Sequence, residues 1–351
     1  MKASAWPVAN LLDNSSLVLG QVVATNVPDF ERGTGYLFHK GDILEAAKLA
    51  SLATHAPADY SLHLIQMEEG EVSEDTAGLR LAELVAGPGI IKSGPVESRV
   101  NLLAKQRGLL RIDVPRLDLI NEVPGVAVFT LYDAMAVEAG TEVAGAKVTP
   151  LVYPVTLLQE VEKVVRSQPG PLIDVLPFRP LKVGVIVREQ LKAGPRARFI
   201  SAVEQKFNWF GAELLDVKVV EAAAEQMAVA LEGFKSRGAD LILHVGGHSS
   251  DPLDPIFPTL ERLGIEMTRH GAPAHPGTLF WLAYWGNTAL FGLASCGMFS
   301  RTTLGDLFLA RIMAGERLTA RAIAQMGQGG LFTRDMAFRF PPYGLKTPQG
   351  D

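Results

Sequence analysis

The chain has 351 residues, 48% hydrophobic and 20% charged, with a net charge of −5. That balance belongs to a folded chain with room for roughly two or three cored domains, and it argues against a disordered protein or a general nucleic-acid binder, which needs clustered Lys and Arg. The single cysteine, Cys296, excludes internal disulfides and cysteine-rich metal sites and fits a reducing cytoplasm. No signal-peptide pattern is read at the start, and no apolar run approaches the roughly 20 residues of a membrane helix.

In the N-terminal half the pattern predicts a helix over Asp42–Thr54 capped by Asp42, and a strand over Tyr60–Gln66. Ser73–Val85 reads as a helix, with Ser73 as N-cap, Glu74 and Asp75 in its first turn, and Gly87-Pro88-Gly89 after it. Strands are expected at Val123–Phe129 and Ala146–Val152, and a helix at Leu157–Val165. The segment Ser167–Pro180, with four prolines, reads as a connection between domains.

Beyond it the alternation becomes regular. Strands are expected at Leu181–Val187, Glu213–Val220, Asp240–Val245 and Thr288–Leu293. Helices are expected at Arg198–Phe210, Ala222–Ser236, Pro255–Leu263 and Met298–Ala314. Such spacing implies parallel strands joined by right-handed crossovers. The fold class is therefore α/β, a three-layer parallel sheet with a mixed edge, preceded by a less regular α+β region. The expected division is residues 1–170 for that region, 171–181 for a linker, 182–320 for the α/β domain and 321–351 for a tail packed on the surface.

Chemistry concentrates where strands end. The stretch ADLILHVGGHSSDPLDP (239–255) runs from a buried strand into Gly246-Gly247 and a polar loop with Asp251 and Asp254. Backbone N–H groups at such a turn can hold an anion, and two carboxylates would suit Mg²⁺ bridging to a phosphate. A tight turn that only caps the next helix fits the same residues equally well. APAHPGT (272–278) and GLASCG (292–297) are two more small-residue loops at strand ends, and such ends converge on one crevice in an open sheet. Of the histidines here, His248 and His275 suit polar contacts at a rim, and His244 reads as a satisfied core or sheet residue. His244, His248, His270 and His275 lack metal-site spacing. Arg188, Lys192, Arg196 and Arg198 form either a solvated face or a basic lip for an anion.

These residues carry a resemblance. GGHSSDPLDP, with its aspartate at the eighth position after the first glycine, resembles the GGT-type loop of the molybdopterin-binding domain family. That family includes molybdenum-cofactor biosynthesis proteins and the gephyrin E domain. APAHPGT is similar to the family's PGKP turn and GLASCGM to its GLPGNP turn, in the same order. KGDIL (40–44), VSEDTAGLRLA (72–82), GLASCGMFSRTTLGDLFLARIMAGERLT (292–319) and GQGGL (327–331) extend the likeness to bacterial molybdopterin-binding proteins associated with molybdenum hydroxylases.

The resemblance implies a cofactor pocket built from Gly246, Gly247, His248, Ser249, Ser250, Pro276, Gly277 and Ser295. It implies molybdopterin or molybdenum cofactor as ligand and Asp254 as the candidate catalytic carboxylate, with Asp251 and Asp254 as Mg ligands. It further implies assistance of cofactor maturation or delivery to a molybdenum hydroxylase; from composition the protein is expected to be cytoplasmic, without nucleic-acid or membrane partners, and a homo-oligomer is expected. His248 stands where the family has Thr, Thr278 where it has Lys, and the Thr-Gly turn after the first strand is replaced around Val187 and Arg188. These departures favour binding over the alternative of Mg-dependent nucleotidyl or metal transfer. A non-catalytic interaction scaffold is the third reading.

Overall fold

The computed structural model describes residues 1–188, 192–221, 223–247, 249–293 and 303–343. Two compact units make up the chain. One comprises Met1–Lys105, Ile112–Asp133 and Gly140–Asp174; the other comprises Gln106–Arg111, Ala134–Ala139 and the chain from Val175 onward.

The first unit is built from small antiparallel sheets, of which the four-stranded one packs against helix Glu74–Val85. That helix buries Ala77, Leu81, Ala82 and Val85, while the Ser73 side chain accepts from Thr76 N as its cap. The expected helix at Asp42–Thr54 runs from Ala46 to His55. Asp42 does not cap it, because its carboxylate accepts from His39 N in the preceding turn. The proline-rich stretch after Arg166 is pinned by a buried side chain. Arg116 donates to Asp113 and to the carbonyls of Val165, Gln168, Gly170 and Pro171.

The second unit contains a six-stranded sheet. Its strands are β1 (Lys182–Val187), β2 (Glu213–Val219), β3 (Leu241–Val245), β4 (Glu266–His270), β5 (Trp281–Trp285) and β6 (Thr288–Leu293), in the spatial order β2-β1-β3-β6-β5-β4. β2, β1, β3 and β6 are parallel, while β5 and β4 close one edge antiparallel. Helices α1 (Ala193–Phe210) and α4 (Leu304–Met313) supply Phe199, Val203, Phe207 and Phe308 to one face. Helices α2 (Ala224–Ser236) and α3 (Ile256–Arg262) supply Met227, Leu231, Ile256 and Leu260 to the other. The α/β expectation is met: continuous apolar runs such as Leu241–Val245 are buried on both faces, as helix-covered parallel strands require.

β4 and β5 escape the sequence reading for a physical reason. WLAYW is an apolar run, buried almost throughout, that follows a turn-rich stretch rather than a helix and so falls outside the strand–helix alternation, while the edge strand EMTRH exposes its end residues and lacks an apolar run. The segment expected as a surface tail also turns inward at its described end. Tyr343 is fully buried among Trp209 and Phe210, and its hydroxyl donates to Asp306 at 2.6 Å.

Candidate functional site

β1 is flanked by β2 on one side and β3 on the other, and the helices that follow β1 and β2 lie on opposite faces. The strand order therefore reverses between β1 and β3. In an open α/β sheet the crevice outside the carboxyl ends at such a reversal is where ligands bind. Arg188 ends β1 there and Gly246-Gly247 ends β3.

Gly246 and Gly247 have φ of 92° and 87°, a left-handed conformation that strains any side-chain-bearing residue. Gly246 N donates to Leu293 O at 3.1 Å, tying the loop to the end of β6. At Gly247 a Cβ would lie 2.9 Å from both Arg188 Nη1 and Asp254 Oδ2. The backbone thus rests directly on a buried ion pair, in which Arg188 Nη1 donates to Asp254 Oδ2. The Asp254 side chain is 1% exposed and that of Arg188 13%. Asp254 Oδ1 also accepts from Ile256 N at 3.2 Å.

The rest of the loop is fixed by its neighbours. Ser249 is buried, and its carbonyl accepts from His270 Nε2 at 2.6 Å. Asp251 is exposed and turns its carboxylate onto Leu253 N at 2.9 Å. Ser250 and Leu253 face outward. His248 and Ser295 lie outside the described residues.

The second expected loop is held by two elements. Gly277, at φ 126°, packs on the first residue of α4: a Cβ there would lie 2.7 Å from Leu304 Cβ. His275 N donates to Gly330 O and His275 O accepts from Phe332 N, both at 2.8 Å, so the GQGGL segment is zipped to the APAHPGT turn. Neither partner is adjacent in sequence, and only the fold shows that these two motifs form one structure.

The basic lip divides. Arg188 turns into the crevice, while Arg196 lines a cleft of about 600 Å³ with Lys218, Glu225 and Gln226 beyond the carboxyl end of β2. Beneath the crevice a row of residues crosses the sheet in register: Ile186, His244, Gly292, Trp281 and His270. His244 is buried as expected, but neither ring nitrogen has a hydrogen-bond partner, and neither does Trp281 Nε1. Burial, with the Arg188 charge adding to it, pushes the His244 imidazole down to about 3, so it is neutral at ordinary pH. Sequence reasoning named Arg188 only as part of a solvated face or basic lip and did not reveal the contacts of His270 and Trp281, because each meets its neighbours across strands or loops.

The fold and site define an α/β protein with a polar, glycine-lined crevice at a topological switch point. No model of a known protein family matches the chain, and no curated protein matches it in sequence. Among solved structures it is similar to the molybdopterin biosynthesis MoeA protein from Pyrococcus horikosii, at 12% identity and a TM-score of 0.30 over 93% of this chain and 77% of that one. It is also similar to a NadC deletion mutant, at 15% identity and a TM-score of 0.16 over 53% of this chain and 78% of that one. Among the described residues no helix is long and apolar enough to cross a membrane, and no three His, Cys, Asp or Glu side chains converge as a metal site.

Proposed function

We propose that the crevice between β1 and β3 binds molybdopterin or a related phosphate-bearing pterin, and that the protein carries or presents this cofactor to a molybdenum enzyme in the cytoplasm. The observation that carries the reading is the meeting of the Gly246-Gly247 loop with Arg188 at the reversal of strand order. The motif resemblance supplies the ligand class. Loop N–H groups beyond that of Gly246, which is given to Leu293 O, take the phosphate, Ser249 and Ser250 border it, and the Pro276-Gly277 turn, braced on α4, forms part of the wall.

Mg²⁺ fits the described side chains poorly. Asp254 is committed to Arg188, and a divalent cation at that carboxylate would sit beside a fixed guanidinium charge in a partly dry site. No transfer chemistry is derived through a metal. Isothermal calorimetry of the purified chain with molybdopterin, and with its adenylylated form, is expected to show saturable binding. Absence of binding to both overturns the reading. Mass spectrometry of the ligand that co-purifies provides an independent check.

A further inference from the structure

The Arg188–Asp254 pair has an asymmetry that the pterin reading does not use. Asp254 is sealed at 1% exposure, while the guanidinium keeps 13% of its surface open. Among the described residues the hydrogen bond of its side chain runs through Nη1 to Asp254. A guanidinium offers five N–H donors in a planar fork that matches an oxyanion. Asp254 therefore takes only part of that capacity and holds the fork in one orientation, which lowers the entropy lost when a ligand arrives. Gly247 presses on the same nitrogen, so backbone and guanidinium present one surface. Beside them His244 is buried and uncharged, which leaves the Arg188 charge without a neighbouring competitor on that side.

We propose that Arg188, oriented by Asp254, is the residue that receives a tetrahedral oxyanion at this crevice, and that it does so without a divalent metal. Asp254 is a positioning residue and neither a metal ligand nor a catalyst. The inference rests on the reading that the crevice binds an anionic ligand, and it replaces a metal bridge by a guanidinium. The oxyanion could arrive as a phosphate monoester on a larger molecule or as a free inorganic anion, and the two sources share this recognition.

The test titrates the full chain with inorganic phosphate and with phenyl phosphate, each in EDTA and in excess Mg²⁺, by calorimetry or ³¹P line broadening. The expected affinities agree within about twofold between EDTA and Mg²⁺. Arg188→Lys, which keeps the charge but loses the fork, is expected to weaken binding about tenfold, and Arg188→Gln to abolish it. Asp254→Asn keeps an oxygen acceptor for Arg188 but removes a negative charge beside the bound anion, so it is expected to tighten binding about threefold, still independent of Mg²⁺. A metal-ligating Asp254 would instead lose binding in that variant.

Binding that requires Mg²⁺, or that survives in Arg188→Gln, overturns the proposal. If an Arg188 variant fails to fold, the EDTA comparison on the unmodified chain still decides. Tighter binding of phenyl phosphate than of phosphate identifies a ligand-borne monoester, and equal affinities identify the free anion. If neither anion binds but molybdopterin does, this inference falls and the cofactor reading stands. If nothing binds, both fall.

Discussion

His244 enters the core with neither ring nitrogen hydrogen-bonded, beside a Trp281 Nε1 in the same condition. Burying such groups unpaired is costly, so this pair is a weak point retained beneath the crevice. It has a consequence for pH. The imidazole of the unfolded chain takes its proton near its ordinary value of 6.5, and the folded one only near 3. Between those values the unfolded state binds more protons, so stability rises with pH across the window and falls as the medium is acidified from 6.5 towards 3. Urea unfolding at pH 7, 5.5 and 4.5 is expected to show this loss, at up to roughly 1.4 kcal/mol per pH unit from this residue. His244→Leu is expected to flatten that part of the profile. An unchanged slope in the variant would place the acid sensitivity elsewhere.

At the scale of elements, the site depends on strands that approach more closely than most side chains permit. Gly292, the penultimate residue of β6, lies beside His244 on β3 and Trp281 on β5. A Cβ there would fall 1.9 Å from Trp281 Nε1, so the indole lies directly over the glycine. Gly292→Ala must displace Trp281 and is expected to cost about 2–3 kcal/mol through overpacking. The measurement is the midpoint of denaturant unfolding at unchanged m. A shift below about 0.5 kcal/mol would show that the row has room to relax. The sequence displayed this glycine as part of a small-residue loop motif. Its packing role was not legible there, because Trp281 becomes its neighbour only through antiparallel pairing of β5 with β6. The helix caps were more legible when they acted locally. Ser73 caps its helix as its spacing suggests, whereas Asp42 is diverted to His39 by a turn that helix periodicity does not reveal.

For the second unit as a whole, the integrating feature is a polar knot around Asp306. Its Oδ1 accepts from Lys206 Nζ and from Tyr343 Oη, each at 2.6 Å, and its Oδ2 accepts from Thr303 N and Oγ1 at 2.9 Å. The knot joins α1, the start of α4 and the end of the described chain. Thr303 and Asp306 together cap α4, the helix against which the Pro276-Gly277 turn packs. Tyr343→Phe removes one buried hydrogen bond to a charged acceptor and is expected to cost roughly 1–3 kcal/mol. If the knot braces the crevice, the same variant also weakens molybdopterin binding in the calorimetric assay. Lost stability with unaltered binding would confine its role to the core.

Local chemistry by itself determined a good deal of this protein. Buried apolar runs alternating with amphipathic helices specified the α/β class, since only a helix-covered parallel sheet buries Leu241–Val245 on both faces. The glycines after β3 marked the end of the sheet where a ligand would be met, because a chain leaving a buried strand must turn there. Tertiary structure alone decided what occupies that end of the sheet. Asp254 reads along the chain as a free carboxylate eight residues beyond a glycine, suited to Mg²⁺. In space it is sealed against Arg188, which lies 66 positions earlier. That pairing arises from β1 and β3 lying side by side, a long-range contact that no local periodicity encodes, and it turns the most suggestive carboxylate of the sequence into the support of a cation.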